Sequence, residues 1–372
     1  MYYPTIDYDR FPKIWSNLNK FFNLPPVIHI VGTNGKGSVG RYLAMILQKS
    51  GKKTAHFTSP HIFDFRERFW LDGRLASDKE LQTAHLSLLN YFKQVNLDPQ
   101  ILSYFEWACL LAAELFSGFD EIVLEAGVGG EFDGTNVFNK KLSVFTPIDL
   151  DHQNLLGDTL EQIATTKLNS MDKFAILNSE FTLINLAQNI AKNKNCKLII
   201  ESDKLPNCIK KYAQKHNLPK FLVANLNLAY NAAKILNIIN LDEIINNLGV
   251  LDLRGRLEKI KQNIWVDVGH NAHAAKAIAK YFKNQKINLI YNAFEDKDAK
   301  SVLSTLKPIL ECVLIYDYPS YDRKLLTNKI SNLALNLGLK CYNFERIEPN
   351  DKYLAFGSFL LVSHFLRNTL EK

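Results

Sequence analysis

The run VIHIVGTNGKGSVGRYLAMIL, Val27 to Leu47, joins an apolar strand to a helical pattern through a turn that holds three glycines and one lysine. Gly32, Gly35 and Gly37 let backbone approach an oxyanion closely, the new helix offers its unpaired N–H groups and positive dipole end, and Lys36 adds a point charge. Together they make a phosphate cradle. The spacing departs from the common GxxxxGK[ST] pattern, because position 30 is Ile and Lys36 is followed by Gly37. Phosphoryl transfer from ATP also needs hard oxygen ligands for magnesium and positive charge where negative charge builds. Glu125 ends an apolar strand and is followed by Gly127, Gly129 and Gly130, which places a carboxylate for a metal.

These residues need elements to hold them. KKTAHFTSP (Lys52 to Pro60) reads as a second short strand, Asp78 to Asn96 and Leu102 to Phe116 as helices, and EIVLEAGVGG and KLSVFTPIDLDH as further strands. Strands alternating with helices predict a parallel sheet whose ligands gather at the carboxyl ends of the strands. Lys36, Ser59, Glu125 and His152 all fall at such ends. An Asn/Lys-rich stretch from about Asn178 to Asn247 reads as surface helices and short strands. Leu251 to Ile260 then resets the pattern, and IWVDVGHNAHAAKAIAKYF, KINLIYNAFEDKD, ECVLIYDYP and KYLAFGSFLLVSHFL alternate strand and helix again. The expectation is two α/β domains, residues 1–252 and 253–372, joined by a linker near Asp252.

Composition agrees. At 372 residues the chain exceeds the size at which one core keeps growing, and 47% apolar with 22% charged residues is ordinary for a globular protein. The net charge of +7 comes from scattered lysines with no basic arm, which points away from nucleic acid and suits polyanionic small molecules. The five cysteines show no CxxC and no metal spacing, the N-terminus lacks a signal pattern, and the most apolar stretch, Ile101 to Phe116, is broken by Glu106 and Glu114. No membrane segment and a cytoplasmic location are expected.

GTNGKGS, TSPHIFDFRERFWLDG, LEAGVGGEFDGTN, DLDHQNLLGDTLEQIATTK, RGRLE, VDVGHN and FGSFLLV stand in the order found in the folylpolyglutamate synthase and dihydrofolate synthase family, relatives of the Mur ligases. The resemblance covers nearly the whole chain outside the Asn-rich middle. It implies a P-loop-type, mostly parallel ATPase domain followed by a smaller Rossmann-like α/β domain. It implies ATP bound by Thr33, Asn34, Gly35, Lys36, Gly37 and Ser38, with Arg256, Asp267 and, as a weaker candidate, Asn227 at the nucleotide. A first magnesium falls to Ser59 and Glu125, and a second to His152. Lys167 matches a lysine that is carbamylated in family members, although TTKLNSM departs from the usual KAGI. His270 and Ser358 would place the incoming glutamate, and His61 with the Arg66 to Arg68 run would meet a pterin or its acidic tail. Glu131 stands where relatives commonly carry Arg.

Plainer readings stand beside these: a capped strand-end histidine at His152, a helix-surface lysine at Lys167, a solvated charge run at RER. The activity implied is ligation. ATP phosphorylates the carboxylate of dihydropteroate or a folate, and the amine of L-glutamate attacks the acyl phosphate. Lys36, Lys167 and His270 are the expected catalytic residues, closure across the linker assembles the site, and one bifunctional monomer serves both acceptors. Two rivals are a Mur-type ligase on a UDP-muramyl substrate, disfavoured by the 31 residues before Gly32, and a nucleotide-binding regulatory protein, disfavoured by RGRLE and VDVGHN.

Overall fold

Val27–Val31 is buried at all five positions, as a central strand covered on both faces must be, and it is the axis of the first sheet. The computed structural model describes residues 7–202, 204–320 and 323–369. The chain divides into two compact units, Met1–Asp252 and Leu253–Lys372.

Among the described residues the first unit holds eight strands: β1 Val27–Val31, β2 Thr54–Phe57, β3 Phe69–Leu71, β4 Arg74–Leu75, β5 Glu121–Glu125, β6 Lys140–Phe145, β7 Phe174–Leu177 and β8 Lys197–Ile200. They lie in the order β4-β3-β2-β5-β1-β6-β7-β8. Every pairing from β2 to β8 is parallel, and only the β2/β3 and β3/β4 pairs are antiparallel. The register sets Ile30 of β1 beside Glu125 of β5 and Val31 beside Phe145 of β6. The loops that follow β1, β5 and β6 therefore leave the sheet together.

Apolar side chains bury both faces. On one, the helix Lys36–Lys49 packs Leu43 and Ile46 with Leu226 and Ala229 of the helix Lys220–Ile235. On the other, Phe57, Phe69 and Leu124 meet Leu88 and Phe92 of the helix Asp78–Gln94 and Leu111 of the helix Tyr104–Leu115. Burying one such side chain contributes about 1.5–3 kcal/mol, so these two layers fix the strand ends against which the site is built. Lys220–Ile235 differs from the surface helix expected in the Asn-rich stretch. Its Leu222, Leu226, Ala229 and Ala233 form an apolar stripe at helical spacing that lies in the core.

In the second unit the strands are β9 Glu258–Lys261, β10 Ile264–Asp267, β11 Ile287–Tyr291, β12 Leu310–Ile315, β13 Cys341–Asn343 and β14 Tyr353–Phe356, ordered β13-β12-β11-β14-β10-β9. Among the described residues every strand pairing within this sheet is parallel except the β9/β10 hairpin. That tight hairpin fills the interval between Arg256 and Asp267. Two α/β units with mostly parallel sheets are the fold class expected.

Candidate active site

The loop after β1 turns at Gly35, whose φ of 86° is costly for any residue with a Cβ. A Cβ there would also meet Asn225 Oδ1 at 2.7 Å. The N–H groups of Thr33 and Asn34 donate to the carbonyl of Pro147 at 2.9 and 3.3 Å, and the Thr33 hydroxyl donates to Asp149 O at 3.0 Å. These two residues thus tie the loop to the segment after β6, while the first turn of the following helix, Lys36 to Ser38, carries the orphan donors that suit phosphate oxygens.

Lys36 Nζ lies 3.3 Å from Gly32 O, and Lys167 Nζ lies 2.9 Å from the same oxygen. Two amines from distant parts of the chain therefore converge on one carbonyl of the glycine-rich loop. Lys167 sits on the helix Leu160–Leu168, started by a capping box in which Thr159 and Gln162 satisfy each other's backbone donors. It is only 4% exposed, so it is not a helix-surface lysine. Burial, then the neighbouring charge of Lys36, pulls its pKa down to about 7, against the smaller opposing effects of Asp151 and Asp133. Gly130 makes this approach possible, since a Cβ there would lie 2.9 Å from Lys167 Cα and 2.7 Å from its carbonyl oxygen.

Glu125 is buried at the end of β5. Its Oε2 accepts from the Thr58 hydroxyl and from the Ser59 N–H at 3.1 Å, so the segment after β2 is clasped to it. Among the described residues no hydrogen bond falls on Glu125 Oε1 or Ser59 Oγ. Magnesium takes hard oxygen ligands, keeps several waters and binds phosphates, so one carboxylate oxygen and one hydroxyl beside a phosphate loop fit it. Among the described residues no group of three or more His, Cys, Asp and Glu side chains could hold a metal unaided. His152, partly buried with φ of 53°, starts the short helix Gln153–Leu156, and its N–H donates to Asp151 Oδ1 at 2.9 Å. It follows Asp149, the residue bonded to Thr33.

The glycine-rich loop after Glu125 has its own clamp. Asp133 is buried and accepts from the N–H groups of Val128 and Thr135 at 2.9 Å each and from the Thr135 hydroxyl at 2.6 Å. Burial raises its pKa against those hydrogen bonds. Because the Thr135 hydroxyl donates to Asp133, His29 Nε2, 2.7 Å from it, must be the donor of the next link, which ties the loop back to β1. Glu131 accepts from Asn169 Nδ2 at 2.8 Å. His61 Nδ1 accepts from Arg68 Nε at 3.0 Å, and the buried Arg68 guanidinium lies over the rings of Phe65 and Tyr104 at 5.7 and 5.3 Å.

Asn227 faces Glu201 at 2.7 Å, whereas Asn225, two residues earlier, stands against the phosphate loop. In the second unit Asp267 is buried and accepts from the N–H groups of Gly269 at 2.7 Å and Leu257 at 2.8 Å, which gathers the RGRLE turn and the VGHN loop around one carboxylate. Burial raises its pKa, opposed by these donors and by the charges of Arg256 and His270. The Arg256 guanidinium lies 5.1 Å from the ring of Phe359, and His270 Nδ1 lies 3.3 Å from Val268 O. Ser358 Oγ accepts from Leu361 N at 3.0 Å, capping the helix Phe359–Thr369, and lies 3.2 Å from the Tyr318 hydroxyl.

The structure thus brings Lys36 together with Lys167, Ser59 with Glu125, and Asp267 with Arg256 and His270. Asn227 and Ser358 serve contacts of their own. Thr58, Asp133 and Asn225 also take part: Thr58 lies within TSPHIF and Asp133 within GGEFDGTN, while nothing local distinguishes Asn225 among so many asparagines.

No helix among the described residues is long and apolar enough to cross a membrane. No family model matches the chain. A dihydrofolate synthase/folylpolyglutamate synthase of Buchnera aphidicola (subsp. Baizongia pistaciae) is 31% identical over 382 residues, spanning 93% of this chain and 87% of that protein. The crystal structure of Helicobacter pylori folylpolyglutamate synthetase is 42% identical, with a TM-score of 0.80 over 99% of this chain and 96% of that one. A bifunctional folylpolyglutamate synthase/dihydrofolate synthase from Yersinia pestis, complexed with AMPPNP and Mn ion, shares the fold at 21% identity, with a TM-score of 0.81 and coverage of 99% and 95%.

Proposed function

The chain belongs to the dihydrofolate synthase/folylpolyglutamate synthase family, and on that premise we propose how its own residues run the reaction. It is an ATP-dependent ligase that adds L-glutamate to dihydropteroate and to folates. The relatives are folate enzymes, and they lend nothing to a UDP-muramyl substrate or a regulatory role.

A carboxylate is a poor electrophile. One of its oxygens attacks the γ-phosphorus of ATP, the bond to the β–γ bridging oxygen breaks, and ADP leaves. The amine of glutamate then attacks the acyl carbon, the C–O bond to phosphate breaks, and the nitrogen gives up a proton. Both steps bring anions together, so the protein's contribution is positive charge and position. Lys36 and the first-turn donors up to Ser38 hold the phosphates, with Thr33 and Asn34 holding the loop to the segment after β6. Magnesium, when bound at Ser59 and Glu125 and at His152, supplies further positive charge to the phosphate oxygens. Arg68 and His61, with Phe65 and Tyr104, offer an aromatic-walled cation to the pterin or its acidic tail.

Lys167 is proposed to act as its carbamate. A buried amine with a pKa near 7 is neutral in a substantial fraction of molecules at neutral pH, and the neutral amine adds to carbon dioxide with loss of a proton. The product is an anion where the unmodified ammonium would repel a metal and crowd Lys36. Residues 1–252 are proposed as the ATP-binding domain, with Asn227 on the adenine side. Residues 253–372 contribute Arg256 and Asp267 to the nucleotide, and His270 and Ser358 to glutamate. The protein is proposed to work as a cytoplasmic monomer.

The observation that carries this assignment is the shared Gly32 carbonyl, reached by Lys36 from the phosphate loop and by Lys167 from a separate helix. ADP release measured with ATP, dihydropteroate and glutamate, each omitted in turn, tests it. Full turnover is expected only with all three present. ATP hydrolysis indifferent to the acceptor would refute the ligase reading.

A further inference from the structure

Glu201 directly follows β8 at the carboxyl edge of the first sheet and is 6% exposed. Its Oε1 accepts from Asn227 Nδ2 at 2.7 Å and Asn231 Nδ2 at 3.3 Å, and its Oε2 from Asn178 Nδ2 at 3.3 Å and Ser179 N at 3.4 Å. An ionised carboxylate only accepts, so each amide that meets it must present its nitrogen. Asn227 Nδ2 also lies 3.3 Å from Ser202 O, a second acceptor on the same side. The amide is therefore oriented with its oxygen turned away. Asn227 is 3% exposed, and its Oδ1 is buried with no hydrogen-bond partner. Leaving a buried acceptor unmet is costly, which marks the oxygen as a place for an incoming donor.

The position suits a nucleotide base. From the phosphate loop on β1 the sheet continues through β6 and β7 to β8, three strand spacings of about 4.8 Å. That is roughly the span between the terminal phosphate and the base of an extended nucleoside triphosphate, and Asn178 and Glu201 follow β7 and β8 at the same sheet edge.

We propose that Glu201 is a positioning residue that locks the Asn227 amide with its carbonyl toward the base, so that the enzyme selects a purine with a 6-amino donor, adenine, over one with a 6-oxo acceptor, guanine. This rests on the reading that Asn227 lies on the adenine side. A site built to meet a donor leaves its own buried acceptor unpaired when an analogue lacks that donor, which makes orientation of the amide a source of selectivity.

Ligation kinetics with ATP, GTP and N6,N6-dimethyl-ATP test it on the full-length enzyme, its Glu201→Gln variant and its Asn227→Ala variant. The unaltered enzyme loses at least about tenfold in kcat/KM when ATP is replaced by the dimethyl analogue, which has no 6-amino N–H. Glu201→Gln lets the amide turn, so the ATP to GTP ratio of kcat/KM falls at least about tenfold, with the change in KM and not in kcat. If Asn227→Ala raises KM for ATP while Glu201→Gln keeps the ratio, the orienting role is wrong and the base contact stands. If Asn227→Ala changes KM for neither nucleotide, the base contact itself is wrong. Should Glu201→Gln fail to fold, equal use of ATP and its dimethyl analogue by the unaltered enzyme overturns the inference.

Discussion

Replacing Lys167 by methionine should remove activity and raise stability, two effects that rarely coincide unless a residue is kept for chemistry at the expense of the fold. The buried amine falls from an ordinary 10.5 to about 7. At about 1.36 kcal/mol per pH unit, that fall means the folded state disfavours the ammonium by up to about 5 kcal/mol at pH 7. The unfolded chain holds the proton up to pH 10.5 while the folded one sheds it near 7, so stability of the unmodified protein rises between those values and does not change further below 7. Methionine fills similar space without a charge. It also takes a donor from Gly32 O, a loss of about 1–3 kcal/mol that Lys36, 3.3 Å from the same oxygen, partly offsets. A net gain of roughly 2 kcal/mol at pH 7 is expected, vanishing near pH 8.5, where the ammonium penalty has shrunk to about 3 kcal/mol. Urea unfolding in buffer stripped of carbon dioxide, so that the lysine is unmodified, measures both. A variant less stable than the parent at pH 7, or a difference that ignores pH, would refute the burial argument. In ligation assays the variant should be nearly inactive, unresponsive to bicarbonate and partly rescued by acetate, whereas bicarbonate should activate the parent.

Further outcomes follow from the same geometry. Lys36→Ala should lower kcat at least about a hundredfold with little change in melting temperature, and a kinetic profile like the parent's would remove Lys36 from the phosphate site. Glu125→Gln should raise the magnesium concentration needed for half-maximal rate at least about tenfold, and an unshifted magnesium titration would count against Glu125 as a ligand. Gly130→Ala should cost about 1–3 kcal/mol in urea unfolding and cut ligation severely, because its Cβ would press on the backbone of Lys167. A stable, active Gly130→Ala enzyme would mean that the glycine loop and the Lys167 helix can separate freely.

Much of the site was legible because its residues sit where apolar strands stop. Val27 to Val31 and Ile122 to Leu124 are buried runs with glycines after them, so the positions of Lys36 and Glu125 at strand ends follow from the sequence pattern. The fate of Lys167 was not legible. Its helix is short and carries polar Gln162, Thr165 and Thr166, and the side chain is buried by tertiary packing, with Gly130 against its backbone and Gly32 O at its amine. The Asn-rich stretch was hard for a related reason. Asparagines ordinarily signal turns and surface, yet Asn225 and Asn227 point inward from a core helix because each meets a partner there, the glycine-rich loop for one and Glu201 for the other. Composition reports average exposure and is silent when a polar side chain is buried by pairing. Asp133 escaped notice similarly. Its carboxylate is used on backbone N–H groups, which no sequence pattern displays.

The acyl phosphate is the claim on which the rest depends, and oxygen tracing reaches it directly. Dihydropteroate labelled with oxygen-18 in its carboxylate, ligated to glutamate by the full-length enzyme with unlabelled ATP, should release inorganic phosphate carrying one labelled oxygen per turnover. The attacking carboxylate oxygen stays with phosphorus when the amine expels phosphate. Unlabelled phosphate, with the departing carboxylate oxygen recovered in water, would contradict the account.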